Sequence, residues 1–248
     1  MGFIMTMTLM LTGCYKWHHV EGNYDVDTEI RQLPEFKEVH NEGEFDVYII
    51  QDGFSEVEIE AESNLIPLIR TRIQGSRLVI DTKDNLDPNF PINVYVHTGE
   101  LREIRLSGSG KIEANSIVTD DIDIDLSGSG YMFFGGTGDF VDCKLSGSGD
   151  IELDLNCNKL EADISGSGSI NASGYADEGD FGISGSGSIN AYEFMLQECH
   201  AGISGSGNMY LAVEDQLWVT ISGSGNVYYL GNPALQINVT GSGTVIHP

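Results

Sequence analysis

The sequence predicts an all-β protein: a parallel β-helix, or β-solenoid, of about eight coils of 18–20 residues, preceded by a β-rich N-terminal cap. Three observations carry that expectation. Ser-Gly-Ser-Gly begins at Ser107, Ser127, Ser146, Ser165, Ser184, Ser204 and Ser222, and Thr240-Gly241-Ser242-Gly243 closes the series as an eighth copy. The copies lie 18–20 residues apart, a period typical of stacked repeat architectures. Apolar and polar residues alternate on both sides of every copy, as half-buried strands require.

The alternation can be followed column by column. Leu106, Leu126, Leu145, Ile164, Ile183, Ile203, Ile221 and Val239 immediately precede the motif. Ile112, Met132, Ile151, Ile170, Ile189, Met209, Val227 and Val245 follow five residues after its first position. A unit of this size cannot bury its inner face alone, so the units must stack. At about 4.8 Å per coil, the eight copies span a rod of roughly 34 Å. The motifs hold 16 of the 31 glycines, so the glycine excess is periodic, unlike that of a flexible linker. These glycines share the parity of the inward aliphatics. Either the backbone pinches toward the axis there, or it turns through dihedrals that glycine adopts cheaply. Cys143 falls in an inward column and reads as a small buried hydrophobe. The serines would stack from coil to coil, with hydroxyl bonds along the rod.

Residues 36–101 read as the β-rich cap or as irregular early coils, because Phe45-Val47-Ile49, Val57-Ile59-Ala61 and Ile92-Val94-Val96 alternate. Helical character is limited to a turn near Asn64 to Arg70. Residues 102–248 form the repeat region, whose last residues are Ile246-His247-Pro248. The proline is expected to discourage strand addition there. Residues 14–35 show no clean period and read as a tether. Residues 1–13 are apolar and run into Leu11-Thr12-Gly13-Cys14. An aliphatic residue, two small residues and a cysteine resemble the bacterial lipoprotein signal, which implies cleavage before Cys14 and diacylation of that cysteine. Two or more acyl chains would anchor the protein stably to a membrane. The segment is short and lacks a basic n-region, which points to a natural start further upstream.

Composition narrows the function classes. Twelve basic against 38 acidic residues give a formal net charge of -26, which repels phosphate backbones and argues against nucleic acid as a partner. No apolar run reaches about 18 residues, the length of a spanning helix.

A lipoprotein-like start, alternating strands, then repeated aliphatic-Ser-Gly-Ser-Gly-x-aliphatic units resemble the "putative auto-transporter adhesin, head GIN domain" family. The resemblance rests on "EFKEVHNEGEFDVYIIQ" and on copies such as "LEADISGSGSINASG" and "FGISGSGSINAYEF", and it covers roughly Phe36 to His247. It implies a β-helical fold and an extracytoplasmic place in the envelope of Bacteroidetes, at the outer membrane, with no catalytic residues to carry over. The acidic export tag of some surface lipoproteins is replaced here by Tyr15-Lys16-Trp17-His18-His19. Both the periplasmic face and the cell surface therefore stay open.

The best chemical candidate is an outward column. Four residues before each motif stand Glu103, Asp123, Asp142, Glu161 and Asp180, then His200, Trp218 and Gln236. Five acids stacked at coil spacing could bind a divalent cation, Ca²⁺ above all, since hard cations want several carboxylate oxygens. The plainer reading is a solvated acidic wall that keeps a repetitive rod soluble, partly neutralised by Arg105 and Lys144. Trp218 is a candidate contact for a sugar or protein ligand, in an aromatic strip with Tyr210 and Tyr228; Tyr229, beside them in sequence, lies in the inward column and reads as core packing. No other cofactor is implied, and no catalytic residue is singled out. The leading function is a non-catalytic envelope lipoprotein offering a rod for binding, adhesion or scaffolding. The alternatives are a carbohydrate-active or polysaccharide-binding β-helix, centred on Asp142-Lys144 with Asp123, Asp125, Glu161 and Asp163, and a structural coat component that assembles end to end.

Overall fold

The computed structural model describes residues 19–248; residues 1–13 and Cys14 lie outside the described residues. The first strands are β1 (His19–Glu21), β2 (Val26–Gln32), β3 (Glu38–Asn41), β4 (Asp46–Gln51), β5 (Glu56–Glu62), β6 (Ile69–Gln74), β7 (Arg77–Thr82), β8 (Asn85–Asp87) and β9 (Asn93–Thr98). The repeat region holds β10 (Glu103–Gly108), β11 (Lys111–Val118), β12 (Asp121–Gly128), β13 (Tyr131–Gly147), β14 (Asp150–Gly166), β15 (Ser169–Gly185), β16 (Ser188–Gly205), β17 (Asn208–Gly223), β18 (Asn226–Leu230), β19 (Ala234–Gly241) and β20 (Thr244–Ile246). The one 3-10 turn among the described residues, Ile66–Leu68, falls within the stretch expected to turn. Among the described residues no helix is long and apolar enough to cross a membrane.

The repeats stack as an in-register parallel solenoid. Leu106 pairs with Leu126, Leu126 with Leu145, Leu145 with Ile164, and the series continues through Ile183, Ile203 and Ile221 to Val239. From β13 to β17 each strand runs without a break from one motif to the next. Their inward residues join one continuous core from Phe36 to Val227. Each fully buried aliphatic or Phe side chain contributes about 1.5–3 kcal/mol. Cys143, Cys157 and Cys199 lie in that core as free thiols. Burial pushes the Cys143 and Cys199 thiols up and that of Cys157 up to about 12, so they behave as apolar groups.

The motif uses its two glycines differently, and both readings of them hold. The first, from Gly108 to Gly241, has φ between +123 and +148, where an L side chain is strained. The second is buried from Gly110 to Gly225. From Gly130 onward a Cβ on it would come within 2.2–2.6 Å of the carbonyl oxygen one coil below. That closeness reflects bonding. Gly110 O accepts from Tyr131 N (3.1 Å), while the first glycine's carbonyl, Gly108 O, accepts from both Ser129 N and Gly130 N at 3.0 Å, a fork that recurs up to Gly223 O with Ser242 N and Gly243 N. The motifs are thus joined mainly through backbone, with Thr240 Oγ1 to Ile221 O (3.4 Å) an added hydroxyl bond at the last copy.

Residues 36–101 are cap and coils together. β3 lies between β7 and β10, and β4 between β9 and β11, all parallel. The chain therefore lays down an inner coil first and slips the outer one beneath it later. Antiparallel strands close that end: β6 on β7, and β5 on β9 with β2 beyond it. The tether expected at 14–35 is corrected here, because its described part contains β1, paired with β8, and β2, paired with β5. β2 shows no period because it is the outermost strand and has no inward face; all of it is exposed except Arg31. Arg31 bonds the carbonyls of Ile66 (3.1 Å) and Ile69 (2.8 Å). The buried Glu62 carboxylate accepts from Tyr24 N (2.6 Å) and Asn89 N (2.8 Å), which fastens this segment to the cap.

Candidate ligand-binding face

The face before the motif carries the candidate residues, because parallel in-register pairing turns a repeat offset into a spatial column. Glu103, Asp123, Asp142, Glu161, Asp180, His200, Trp218 and Gln236 do stack coil on coil. Pairing with β3 and β7 extends the column downward to Glu38 and Arg77.

Cations are threaded along this wall. Arg105 reaches Asp125 (2.6 Å) and Glu103 (3.1 Å), Lys159 reaches Glu161 (2.5 Å), and Lys144 is paired with Asp142. Asp123 and Asp180 join no ion pair among the described residues. Burial, then the charges of Asp142 and Glu103, raise the Asp123 pKa above its ordinary value. Burial, then Asp180 and Asp142, do the same at Asp163. Asp142 Oδ1 is buried and has no hydrogen-bond partner.

The sign follows from linkage. A carboxyl whose folded pKa is raised binds its proton more tightly in the native state. Its contribution to stability therefore falls as pH rises from about 3.8 through the raised value, and the loss persists above it. Asp123→Asn is accordingly expected to raise the melting temperature by about 1–3 °C at pH 7 and low salt. The gain should vanish at pH 3 and shrink in 1 M salt. A melting point lowered at pH 7 would contradict repulsion within the column.

At the foot of the column, Glu38, His40 and Glu103 bring ligand-type atoms within 4.8 Å of one another. Sequence spacing offered no sign of this, since His40 meets Glu103 through strand pairing across 63 residues. Arg77 holds Glu38 (2.9 Å) and approaches Glu103 (3.8 Å), and His40 Nε2 lies 2.9 Å from Glu103. Burial keeps the His40 pKa below its usual value against the pull of Glu103. The cluster is a closed ionic network whose carboxylates already have partners.

The next outward column changes character along the rod. It runs Arg105, Asp125, Lys144, Asp163, then Gly182, Gly202 and Thr220. Where the side chains stop, a trough of about 500 Å³ opens, lined by Lys144, Asp163, Gly182, Gly202, Thr220 and the serines Ser146, Ser165, Ser184, Ser204 and Ser222. The column beside it presents His200 and Trp218, stacked with centroids 4.3 Å apart and planes 3° from parallel. Sequence reasoning placed Trp218 outward but missed Gly182 and Gly202, which stand outside the motif and signal only when the columns are aligned.

The aromatic strip expected around Trp218 is corrected. Tyr210 stacks on Tyr228 (5.0 Å) and meets Tyr192 edge-on (5.5 Å), on the face that follows the motif. Tyr229 packs partly against the core, as its inward column implies. The motif bend at 222–225 lies between Trp218 and Tyr228, and Tyr210 pairs with Tyr228 on that other face. In the Asp142–Lys144 pair, the hydrogen bond with Asp142 raises the Lys144 pKa and holds the amine protonated at neutral pH.

Solved structures with this architecture are known. A putative adhesin from Parabacteroides merdae is 29% identical with TM-score 0.85, covering 92% of this chain and 98% of its own. A putative adhesin from Parabacteroides distasonis is 27% identical with TM-score 0.85, covering 92% and 99%. A putative lipid binding protein from P. distasonis, 23% identical with TM-score 0.86 over 93% and 100%, shares the fold. No curated protein matches the chain. Residues 35–233 match the family described as "Putative auto-transporter adhesin, head GIN domain", and the chain belongs to that family.

Proposed function

We propose that the protein is a non-catalytic, adhesin-type binding module of the bacterial cell envelope, tethered to the outer membrane by acyl chains on Cys14. The trough over Gly182 and Gly202 is its ligand site. One observation carries the reading: a recess spanning five coils, with a serine ladder on one wall and the His200–Trp218 stack in the neighbouring column. A trough that repeats its hydroxyls at coil spacing suits an extended polymer, a glycan strand or a protein segment, better than a compact substrate. Membership of an adhesin-named family supports the same reading.

The test uses cells that make the full chain, exposed to panels of glycans and envelope proteins. A Cβ on Gly202 would meet only Phe181 O at 3.9 Å, so Gly202→Arg fills the trough without disturbing the fold. That variant should stay in the envelope and lose at least tenfold in binding. Cys14→Ala should release the protein from the membrane and leave its affinity unchanged. Binding that survives Gly202→Arg would place the ligand elsewhere.

A second reading has the unpartnered Asp142 Oδ1 in its favour: Ca²⁺ held between Asp142 and Asp123. Calorimetric titration decides it, for no heat and no shift in melting temperature leave the column a solvated wall.

A further inference from the structure

The rod's two ends differ. β19 pairs on one side only, with β17, and β20 only with β18. All eight residues of β19 are exposed. Leu235, Ile237 and Val239 stand at the inward positions that Leu217, Val219 and Ile221 fill one coil below, yet they are 40%, 50% and 36% exposed. Pro248 lies beyond β20, outside both strands of this coil.

Charge distinguishes the ends as well. In a chain of net charge -26, residues 216–248 contain no Asp, Glu, Lys or Arg. The opposite end is guarded by ionic side chains, with Asp27, Glu29 and Arg31 on β2 and Arg70 and Arg72 on β6. Charged edge strands resist addition, whereas a neutral edge with exposed apolar residues invites it. Two such rods repel along their acidic walls. They approach at least cost through their uncharged ends, where the walls point away from each other.

We infer that the last coil is a self-association surface, on which a second copy of this chain docks end to end. Each β19–β20 edge supplies the hydrogen-bonding groups and apolar side chains that the other lacks. The contact is isologous and closes at two copies. A head-to-tail fibre would need the charged β2 and β6 edges instead. Related by a two-fold axis, the facing strands run antiparallel, unlike the parallel stacking within the rod, and the small cross-section makes the dimer a reversible one.

Sedimentation velocity on the full chain carrying Cys14→Ser, under reducing conditions from about 1 to 100 μM, tests this. A reversible species of twice 26.9 kDa is expected at the upper concentrations. Ile237→Lys, at a half-exposed site, should weaken association at least tenfold while leaving the circular dichroism spectrum and melting point unchanged. Val26→Lys at the far end should leave association intact. A monomer throughout, association that survives Ile237→Lys, or growth past two copies would each overturn the inference.

Discussion

Replacing Gly185 with alanine is expected to destabilise the rod by about 2–6 kcal/mol, one of the largest effects of any exposed or half-exposed position. Two costs coincide there. Its φ of +140 strains any residue with a Cβ, which costs about 1–3 kcal/mol. The new methyl group would also stand 2.3 Å from Gly166 O. That oxygen is backbone and already accepts from Ser186 N and Gly187 N, so it cannot retreat without loosening the fork. Forced displacement of packed atoms adds about 1–3 kcal/mol. Because coils contact only their neighbours, the damage should uncouple the coils above residue 185 from those below. Limited proteolysis would show it as cleavage near the substituted coil.

The second large effect is expected in the core. Phe181 is 1% exposed and sits in the inward column between Ala162 below and Ala201 above. The two alanines cede the space that the ring occupies, so Phe181→Ala would place three alanines in a row and open a cavity. Such a substitution costs about 3–5 kcal/mol, readable as a fall in the denaturant midpoint. Ala162→Leu in the same background should recover part of the loss. A cost under about 1 kcal/mol would mean that the column is not packed around this ring.

Much of the rod is legible in the sequence, and the reason is physical. A parallel solenoid converts a fixed offset from the motif into a column, so the order Glu103 to Trp218 follows from residue spacing alone. The same parity places Cys143 inward. The cap is harder, because nothing in the sequence indicates that β3 and β4 lie between β7 and β10 and between β9 and β11. Its pairings join residues far apart in the chain, as with His40 and Glu103. β2 escapes notice because an outermost strand needs no inward face and therefore shows no alternation. Gly182 and Gly202 shape the trough by what they lack, and a missing side chain stands out only against Lys144 and Asp163 in the same column.

The central claim is that the motif glycines are fixed by contact between coils and not by a need for flexibility. Thermal unfolding of Gly185→Ala, Gly108→Ala and Gly202→Ala, measured side by side, tests it most directly. Gly108 has the same kind of dihedral, φ +123, but nothing within 4 Å of its Cβ position, while Gly202 has neither constraint. The expected result is a fall of roughly 10 °C for Gly185→Ala, a fall of a few degrees for Gly108→Ala, and no loss for Gly202→Ala. Three equal melting temperatures, or Gly202→Ala as the weakest of the three, would contradict it.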